Sequence, residues 1–261
     1  MFINIKSNND INKMRIVGKL SAEVLIMIKD YITPGVSTGE LNDICHKYIT
    51  KVQKSIPASL GYCGFPKSIC TSVNDVVCHG IPSYEKELKN GDIINIDVAI
   101  IKDGFYGDTS KMFIVGKPTI IGKRLCKVTQ NSLYLAIKKI KPGLCLNIIG
   151  STIQKFAESE NFSIVREYCG HGIGNKFHEP PQILHFYNKN KFILKSGMTI
   201  TIEPMINTGN HSVKIMKDGW TVKTKDHSLS AQYEHTLVVT NNGCEILTLR
   251  PEETIPSIII N

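Results

Sequence analysis

The sequence predicts an α+β protein built from two related halves, and a repeated phrase is the main reason. Ten residues at 88–97 are echoed at 194–203; each copy has Lys-x-Gly followed by alternating apolar and polar residues that end in an acid. Alternation of this kind predicts a strand. Each half also has helix-like periodicity broken by Pro-Gly, at 34–35 and at 142–143. The repeat predicts one domain, 1–261, with halves at about 11–118 and 119–250.

The first half begins with two predicted helices. Apolar residues recur at three- and four-residue steps up to Tyr31, and Pro34-Gly35 ends that helix. Ser37 and Glu40 have the spacing of a capping box that opens the second helix. The residues predicted to form the buried faces are Ile11, Met14, Val17, Leu20, Val24, Ile28 and Tyr31, then Leu41, Ile44, Cys45, Tyr48 and Val52.

A hairpin is predicted at Asp103-Gly104, a strong two-residue turn signal. With that loop length, Ala99 lies opposite Asp108, and Asp97 is the diagonal neighbour of Asp108 on the same face. An odd loop without a compensating bulge would send the two carboxylates to opposite faces. A metal site shared by both acids therefore predicts a loop with an even number of residues, as in the two-residue turn.

The second half repeats the plan. Its predicted helices flank Pro142-Gly143, with Leu133, Ile137 and Ile140 before the break and Ile149, Ile153 and Phe156 after it. A strand ends at Glu203, and a further strand-like segment, 231–240, carries Gln232 and Glu234 on one face.

Composition places the chain among ordinary globular proteins. With 42% hydrophobic and 21% charged residues over 261 positions, it can bury one large core. Its N-terminus has no signal-like apolar run and no segment is long enough to span a membrane, so a cytoplasmic protein is expected. Eight cysteines without a C-x-x-C pair favour reduced thiols over disulfides or a zinc finger.

The net charge of +8 leaves a polyanionic partner such as RNA or a ribosome open. No aromatic-basic motif accompanies the charge, so nucleic acid is not the expected substrate. A protein whose function was only RNA binding would bind tightly and salt-sensitively, without dependence on metals.

Four acids lie in predicted strands: Asp97, Asp108, Glu203 and Glu234. Carboxylates packed under other elements are costly unless cations neutralise them, and oxygen ligands suit hard or borderline divalent ions. Two ions roughly 3.5–4 Å apart would explain so many acids. The alternative is a set of solvated strand acids.

Three histidines have settings that favour function. His171 lies among glycines in Gly170-His-Gly-Ile-Gly174, His79 precedes Gly80, and His178 precedes Glu179-Pro-Pro. His235 is expected to point away from Glu234, because adjacent strand residues face opposite sides. A structural or surface role is expected for the remaining four histidines, His46, His185, His211 and His227.

Together these segments resemble the type I methionine aminopeptidases of peptidase family M24. The resemblance covers nearly the whole chain, and it rests on the ordered set of motifs Asn95-Ile-Asp97, Gly107-Asp108-Thr109, Gly170-His171-Gly172-Ile-Gly174, Thr201-Ile-Glu203-Pro204 and Gln232-Tyr-Glu234-His235-Thr236. It implies the pita-bread fold, in which two pseudo-symmetric α/β halves flank a curved antiparallel sheet and a dinuclear metal site.

By position, the resemblance implies five metal ligands, with Asp108 and Glu234 bridging two ions and Asp97, His171 and Glu203 completing the set. It implies that a water between the ions is the nucleophile and that Glu203 accepts its proton. His178 would stabilise the oxyanion, and His79 would contact the scissile nitrogen. The ions could be cobalt, manganese, iron or zinc.

The resemblance also implies a methionine pocket formed by Tyr62, Phe65, Cys70, Phe177 and Trp220, since aromatic edges suit a thioether. The resemblance leads us to expect cysteine and tyrosine in many bacterial relatives at the positions where this chain has Ser59 and Phe65. A monovalent cation is implied near the backbone of three further residues, Asn74, Val76 and Ser230.

The implied function is removal of the initiator methionine from nascent chains with a small second residue, by a monomer that contacts the ribosome transiently. Short connections between His178 and Glu203 fit the minimal form of the family. Two alternatives share the fold. A proline-specific aminopeptidase or prolidase usually has a large extra N-terminal domain, and a non-catalytic binding module typically loses ligands.

Overall fold

The computed structural model describes residues 3–261. This part of the chain contains four α-helices and sixteen mostly short β-strands. The helices are α1 Asn8–Ile28, α2 Thr38–Lys47, α3 Ile120–Ile137 and α4 Asn147–Ser159. The strands are β1 Ile56–Pro57, β2 Cys70–Val73, β3 Val76–Cys78, β4 Ile93–Lys102, β5 Phe105–Ile114, β6 Ser163–Ile164, β7 Gly170–Gly172, β8 Glu179–Ile183, β9 Thr199–Ile202, β10 Met205–Asn207, β11 Val213–Ile215, β12 Val222–Thr224, β13 Ser230–Gln232, β14 His235–Val239, β15 Gly243–Ile246 and β16 Ile258–Ile260.

Helix α2 begins as its sequence predicts. The Ser37 hydroxyl accepts from the Glu40 backbone N–H at 3.2 Å, and the Glu40 carboxylate accepts from the Ser37 N–H at 2.8 Å. These two bonds form the predicted capping box. They satisfy backbone donors that a helix N-terminus would otherwise leave without partners.

Two residues of the predicted buried faces are instead exposed. Tyr31 is 49% exposed because α1 ends at Ile28 and continues as a single 3₁₀ turn. Val52 is 63% exposed because a π-helical turn follows α2, with the Gln53 N–H bonded to the Tyr48 oxygen. Ile49, four residues after Cys45, is fully buried on this side of the helix.

The predicted hairpin register is confirmed. Strands β4 and β5 pair from Ile93↔Ile114 to Lys102↔Phe105, with Ala99 opposite Asp108. Asp103 and Gly104 form the two-residue loop, and both have positive φ, at 50° and 76°. Such angles suit a turn that follows the right-handed twist of the strands.

Alternation along β4 separates the core from the opposite face of the sheet. Ile94, Ile96, Val98 and Ile100 belong to the apolar core formed with α1 and α2. Asp97 therefore projects from the face opposite those helices. In the second half, Ile200 and Ile202 of β9 pack into the core formed with α3 and α4.

Every strand pair is antiparallel, which agrees with the predicted α+β class. The longest path is β16-β15-β14-β9-β7-β8, and the first-half sheet is β1-β4-β2 with β5 paired to β4. Two small three-stranded sheets, β13-β10-β6 and β11-β12-β3, complete the architecture. Among the helices of residues 3–261, none combines the length and apolar character needed to cross a membrane.

The segment predicted as one strand from 231 to 240 is divided into two. Strand β13 pairs with β10, whereas β14 pairs with β9. Between them the Glu234 N–H bonds to the Ser110 oxygen of the first-half hairpin, at 3.1 Å. Strands β9 and β10 are likewise separated at Glu203-Pro204, where the proline has no N–H for a ladder. Both second-half acids thus lie at interruptions between strands.

Candidate active site

One cavity of about 240 Å³ brings together all the candidate metal ligands, catalytic residues and methionine-pocket residues. Residues from both halves of the chain line it. The candidates that line it are Tyr62, Phe65, Cys70, His79, Asp97, Asp108, His171, Phe177, His178, Glu203, Trp220 and Glu234. The wall also includes Ser59, Cys78, Glu167, Tyr168, Cys169 and Met205.

Asp97 and Asp108 meet across the hairpin. Burial raises the pKa of Asp97 well above its usual value, and the nearby Asp108 carboxyl adds to the shift. Burial also raises the pKa of Asp108, to about 7. The Thr236 hydroxyl fixes the Asp108 backbone, donating to its oxygen at 2.7 Å and accepting from its N–H at 3.2 Å. The pair therefore favours a bound proton or cation.

Glu203 is held by three hydrogen bonds. Its Oε1 accepts from the Thr201 hydroxyl at 2.9 Å and its Oε2 from the Gln232 amide at 3.2 Å. Its backbone N–H donates to Nε2 of His185 at 3.1 Å. Burial raises the pKa of Glu203 well above its usual value, and Asp108 and Asp97 contribute to this shift.

Glu234 is fixed through its backbone and is 2% exposed. Its backbone oxygen accepts from the Thr109 hydroxyl at 2.7 Å, and that hydroxyl accepts from Nη1 of Arg250 at 2.8 Å. Burial raises the pKa of Glu234 well above its usual value, and the nearby Asp108 and Glu203 carboxyls raise it further.

The His171 ring has one nitrogen available towards the acids. Its Nδ1 lies 2.9 Å from the Gly172 backbone oxygen, which can only accept, so Nδ1 carries the proton. Its Nε2 lies 3.6 Å from Asp108 Oδ2 and 3.7 Å from Glu203 Oε1. Burial lowers the pKa of His171 to about 4, which leaves the imidazole neutral at pH 7.

The carboxylate oxygens and the free imidazole nitrogen described above suit a divalent metal ion. Ligand atoms of Asp108, His171 and Glu234 all lie within 4.8 Å of one another. Asp108 Oδ1 and Glu234 Oε1 are buried without a hydrogen-bond partner. Buried acceptors of this kind are costly unless a cation or donor satisfies them, and a neutral imidazole held through Nδ1 is a common metal ligand. The cluster can therefore bind a divalent ion.

Two further histidines line the same cavity. His79 has a left-handed backbone, with φ of 55°, and its ring packs edge-on against Tyr168 and Trp220. Burial lowers the pKa of His79 to about 4, and His178 adds to the effect. The His178 ring lies 4.2 Å from that of His171 between centroids. Loss of solvent within the cavity lowers the pKa of His178, and the nearby His171 lowers it further.

The rest of the cavity wall is aromatic. Phe65 is 3% exposed and packs edge-on against Trp220, with ring centroids 5.2 Å apart. Phe177 stacks on Tyr106 at 5.4 Å and meets Tyr62 edge-on at 4.9 Å. Such edges suit a flexible apolar side chain that contains sulfur.

His235 points away from the cavity, as alternation predicts. Its ring is buried in a separate network, with Nδ1 2.9 Å from the Thr248 hydroxyl and Nε2 3.1 Å from Glu253 Oε1. Arg250 donates to the same Glu253 oxygen at 3.0 Å.

The sequence allows a structural role for His185 but links neither His185 nor Arg250 to the site, and both support it. His185 is fully buried and contacts the Glu203 backbone, although it lies in an apolar stretch with no motif around it. Arg250 is 1% exposed and contacts Thr109, beside Asp108. In the sequence, a single arginine near the end of the chain gives no sign that it is buried.

Comparison with known proteins agrees with this geometry. Metallopeptidase family M24 matches residues 12–241. The methionine aminopeptidase of Escherichia coli K12 is 65% identical over 260 residues, covering 99% of this chain and 98% of its own. The solved methionine aminopeptidase of Rickettsia prowazekii has a TM-score of 0.93 and 54% identity, and the match covers 95% of this chain and 100% of that one.

A more distant structure shares the fold alone. The Xaa-Pro dipeptidase of Bacillus anthracis has a TM-score of 0.75 at 21% identity, and the match covers 96% of this chain but 63% of that one. The pita-bread fold is thus common to the methionine aminopeptidases and the Xaa-Pro dipeptidase. The high sequence identity over nearly the whole length of both proteins is to the methionine aminopeptidases. The chain belongs to metallopeptidase family M24, and within that family to the methionine aminopeptidases.

Proposed function

We propose that this chain removes the N-terminal methionine of nascent polypeptides whose second residue is small, by metal-assisted hydrolysis of the first peptide bond. The observation that carries the proposal is the convergence of four acids, two buried and two partly buried, and three histidines on one aromatic-lined cavity. The whole-chain similarity to methionine aminopeptidases supports the substrate class.

Five side chains are the proposed metal ligands: Asp97, Asp108, His171, Glu203 and Glu234. Asp108 and Glu234 would each hold the metal through a buried carboxylate oxygen that has no protein partner, and the family resemblance would make them the ligands shared by two ions. Five ligands with four carboxylates suit two ions drawn from manganese, iron, cobalt and zinc. Such ions, when bound, lower the pKa of water and so supply the nucleophile for hydrolysis.

The remaining steps belong to the protein. Glu203 accepts the proton of the attacking water, and its bonds from Thr201 and Gln232 orient the carboxylate for that task. His178 donates a hydrogen bond to the oxyanion that forms at the scissile carbonyl. His79, held by its aromatic neighbours, contacts the scissile nitrogen as it leaves.

Tyr62, Phe65, Cys70, Phe177 and Trp220 form the proposed methionine pocket. Ser59 lines the same wall, so its hydroxyl and the phenyl of Phe65 set the local polarity. Burial raises the pKa of Cys70 well above its usual value, which keeps this thiol neutral and apolar in character.

A monovalent cation near Asn74, Val76 and Ser230 is also proposed. The Ser230 N–H bonds to the Asn74 oxygen at 2.8 Å, which brings the two segments together. The Ser230 hydroxyl is buried without a partner. This unpaired oxygen supports a cation nearby.

We further propose that residues 1–261 act as one monomeric catalytic domain of two related halves, 11–118 and 119–250, in the cytoplasm, where nascent chains are made. The net charge of +8 supports a transient contact with the ribosome. Reversing the charge of surface lysines should weaken ribosome co-sedimentation; unchanged binding would contradict this contact.

The decisive experiment measures free methionine released from Met-Ala-Ser and Met-Lys-Ser by metal-stripped protein, with and without Co²⁺, Mn²⁺ or Fe²⁺. We expect metal-dependent release from the first peptide only, lost in Asp97→Ala. Preferential cleavage of an Xaa-Pro peptide would favour the prolidase alternative. No release with any metal would favour a binding module.

A further inference from the structure

The segment that carries Phe177 and His178 is a connection between two strands. It runs from Ile173 to His178, between β7 and β8, and the β7–β8 ladder shifts register just before it, between His171 and Gly172. Lys176 and His178 are exposed. Backbone pairing of the strands alone therefore does not determine where the His178 ring lies.

A buried ion pair lies at the base of this connection. Nζ of Lys6 is 2.6 Å from Oε2 of Glu179, and the two side chains are only 2% and 6% exposed. Oε1 of Glu179 accepts from the Lys176 backbone N–H at 3.2 Å. The Glu179 carboxylate, at the end of the connection, thus bonds both to Lys176 within the connection and to Lys6 of the N-terminal segment.

The N-terminal segment is itself anchored. The Lys6 N–H donates to the Gly197 oxygen at 2.8 Å, and Ser7 caps α1. A Cβ built on Gly197 would lie 2.7 Å from the Ile5 side chain. Lys6 therefore reaches the connection from a fixed backbone.

Gly174 makes room for the pair. A Cβ at this position would lie 2.1 Å from Cε and 2.5 Å from Nζ of Lys6, and 2.7 Å from Oε1 of Glu179. The Gly174 oxygen also accepts from the Tyr106 N–H of β5 at 2.8 Å. The last glycine of the Gly-His-Gly-Ile-Gly motif thus accommodates a charged contact beside the cavity.

Burying two charges costs solvation, and well-packed apolar residues often stabilise a fold as well as or better than an ion pair does. Such a pair is better explained by the conformation that it selects. We propose that Lys6 and Glu179 are positioning residues that hold the 173–178 connection, and with it Phe177 and His178, in the arrangement used for catalysis. The catalytic part of this inference rests on the proposed function.

The first test needs no substrate. Trypsin can cut after Lys176 when the connection opens, and mass spectrometry follows that bond. In Lys6→Met and Glu179→Gln we expect cleavage there to be about threefold faster or more. Arg15→Met removes the Arg15–Glu245 pair, which ties α1 to β15, and serves as the matched control with unchanged cleavage after Lys176.

The second test separates positioning from folding. The double variant Lys6→Met/Glu179→Gln leaves no unpaired buried charge and should fold. We expect kcat on Met-Ala-Ser to fall about tenfold in this variant, with a smaller change in KM and unchanged affinity for Co²⁺ by calorimetry. Each single variant should have a similar loss of kcat, because both break one contact.

A double variant with the parent's kcat and the parent's cleavage rate after Lys176 would overturn the proposal. Failure of the unmodified protein to release methionine would instead count against the proposed function, and the trypsin experiment would still decide whether the pair holds the connection.

Discussion

The phenol oxygen of Tyr62 lies 2.7 Å from Nδ1 of His178. Burial raises the pKa of Tyr62, so the phenol keeps its proton at neutral pH. The lowered pKa of His178 keeps that imidazole neutral. A phenol that donates to Nδ1 leaves the imidazole proton on Nε2, which is the form that can donate to an oxyanion.

Tyr62→Phe removes this hydrogen bond with little change of shape. We expect kcat on Met-Ala-Ser to fall about tenfold, which corresponds to one hydrogen bond of about 1.4 kcal/mol, with KM within about twofold. Tyr84→Phe, which removes an exposed phenol bonded to Asp43, is the control and should keep the parent's kcat. A parent-like kcat in Tyr62→Phe would show that the tautomer is set in another way.

The metal-free protein should lose stability as pH rises from about 7 to 8. The folded pKa values of Asp97, Asp108, Glu203 and Glu234 are raised, so these four acids bind more protons in the native state than in the unfolded state in this range. Lowered histidine pKa values act in the opposite direction, but this effect fades above about pH 7, where an unfolded histidine is mostly neutral. Thermal unfolding at several pH values measures the slope.

Adding Co²⁺ or Mn²⁺ should raise the melting temperature most at pH 8, because the ions replace protons as partners of the acids. The dependence of the melting temperature on pH should then disappear. Asp97→Asn should flatten the slope of the metal-free protein. A melting temperature that rises with pH across this range would rule out the stated direction for the acids.

Arg250→Met should destabilise the protein by about 3–5 kcal/mol, because it leaves the Glu253 carboxylate buried without its arginine. Urea unfolding measures the loss. The double variant Arg250→Met/Glu253→Gln should recover part of it, since neither charge remains. Lys223→Met, which breaks a partly exposed pair with Asp75, is the control and should cost no more than about 1 kcal/mol.

Trp220→Ala should raise KM for Met-Ala-Ser about tenfold and leave kcat within about twofold, because the ring is proposed to contact the methionine side chain in both ground and transition states. The indole packs on Phe65, so part of the pocket wall is lost with it. Steady-state kinetics with fixed Co²⁺ tests this. A fall in kcat at constant KM would place the indole's effect on His79, its other neighbour.

Local signals explain which parts of the fold could be predicted. The turn Asp103-Gly104 determines its own geometry, so the whole β4–β5 register follows from two residues. The capping box at Ser37 is equally local. The π turn at Tyr48–Val52 was not predicted, because nothing in those residue types indicates an i→i+5 bond.

The candidate site draws on both local motifs and the family resemblance. The motifs supplied the candidate metal ligands and the resemblance supplied the pocket residues, and one cavity brings these side chains together. The division between β13 and β14 was missed because the Glu234 N–H pairs with Ser110, more than a hundred residues earlier in the chain. His185 and Arg250 act through backbone atoms and a threonine hydroxyl, and no spacing in the sequence records such contacts.

The proposed ligands are divided along the chain: Asp97 and Asp108 lie on one hairpin, whereas His171, Glu203 and Glu234 follow much later. A growing chain that has not yet extended past Glu234 holds only an incomplete set. On this proposed ligand set, complete metal binding requires synthesis past Glu234, so a product truncated or stalled before that residue would lack part of the site.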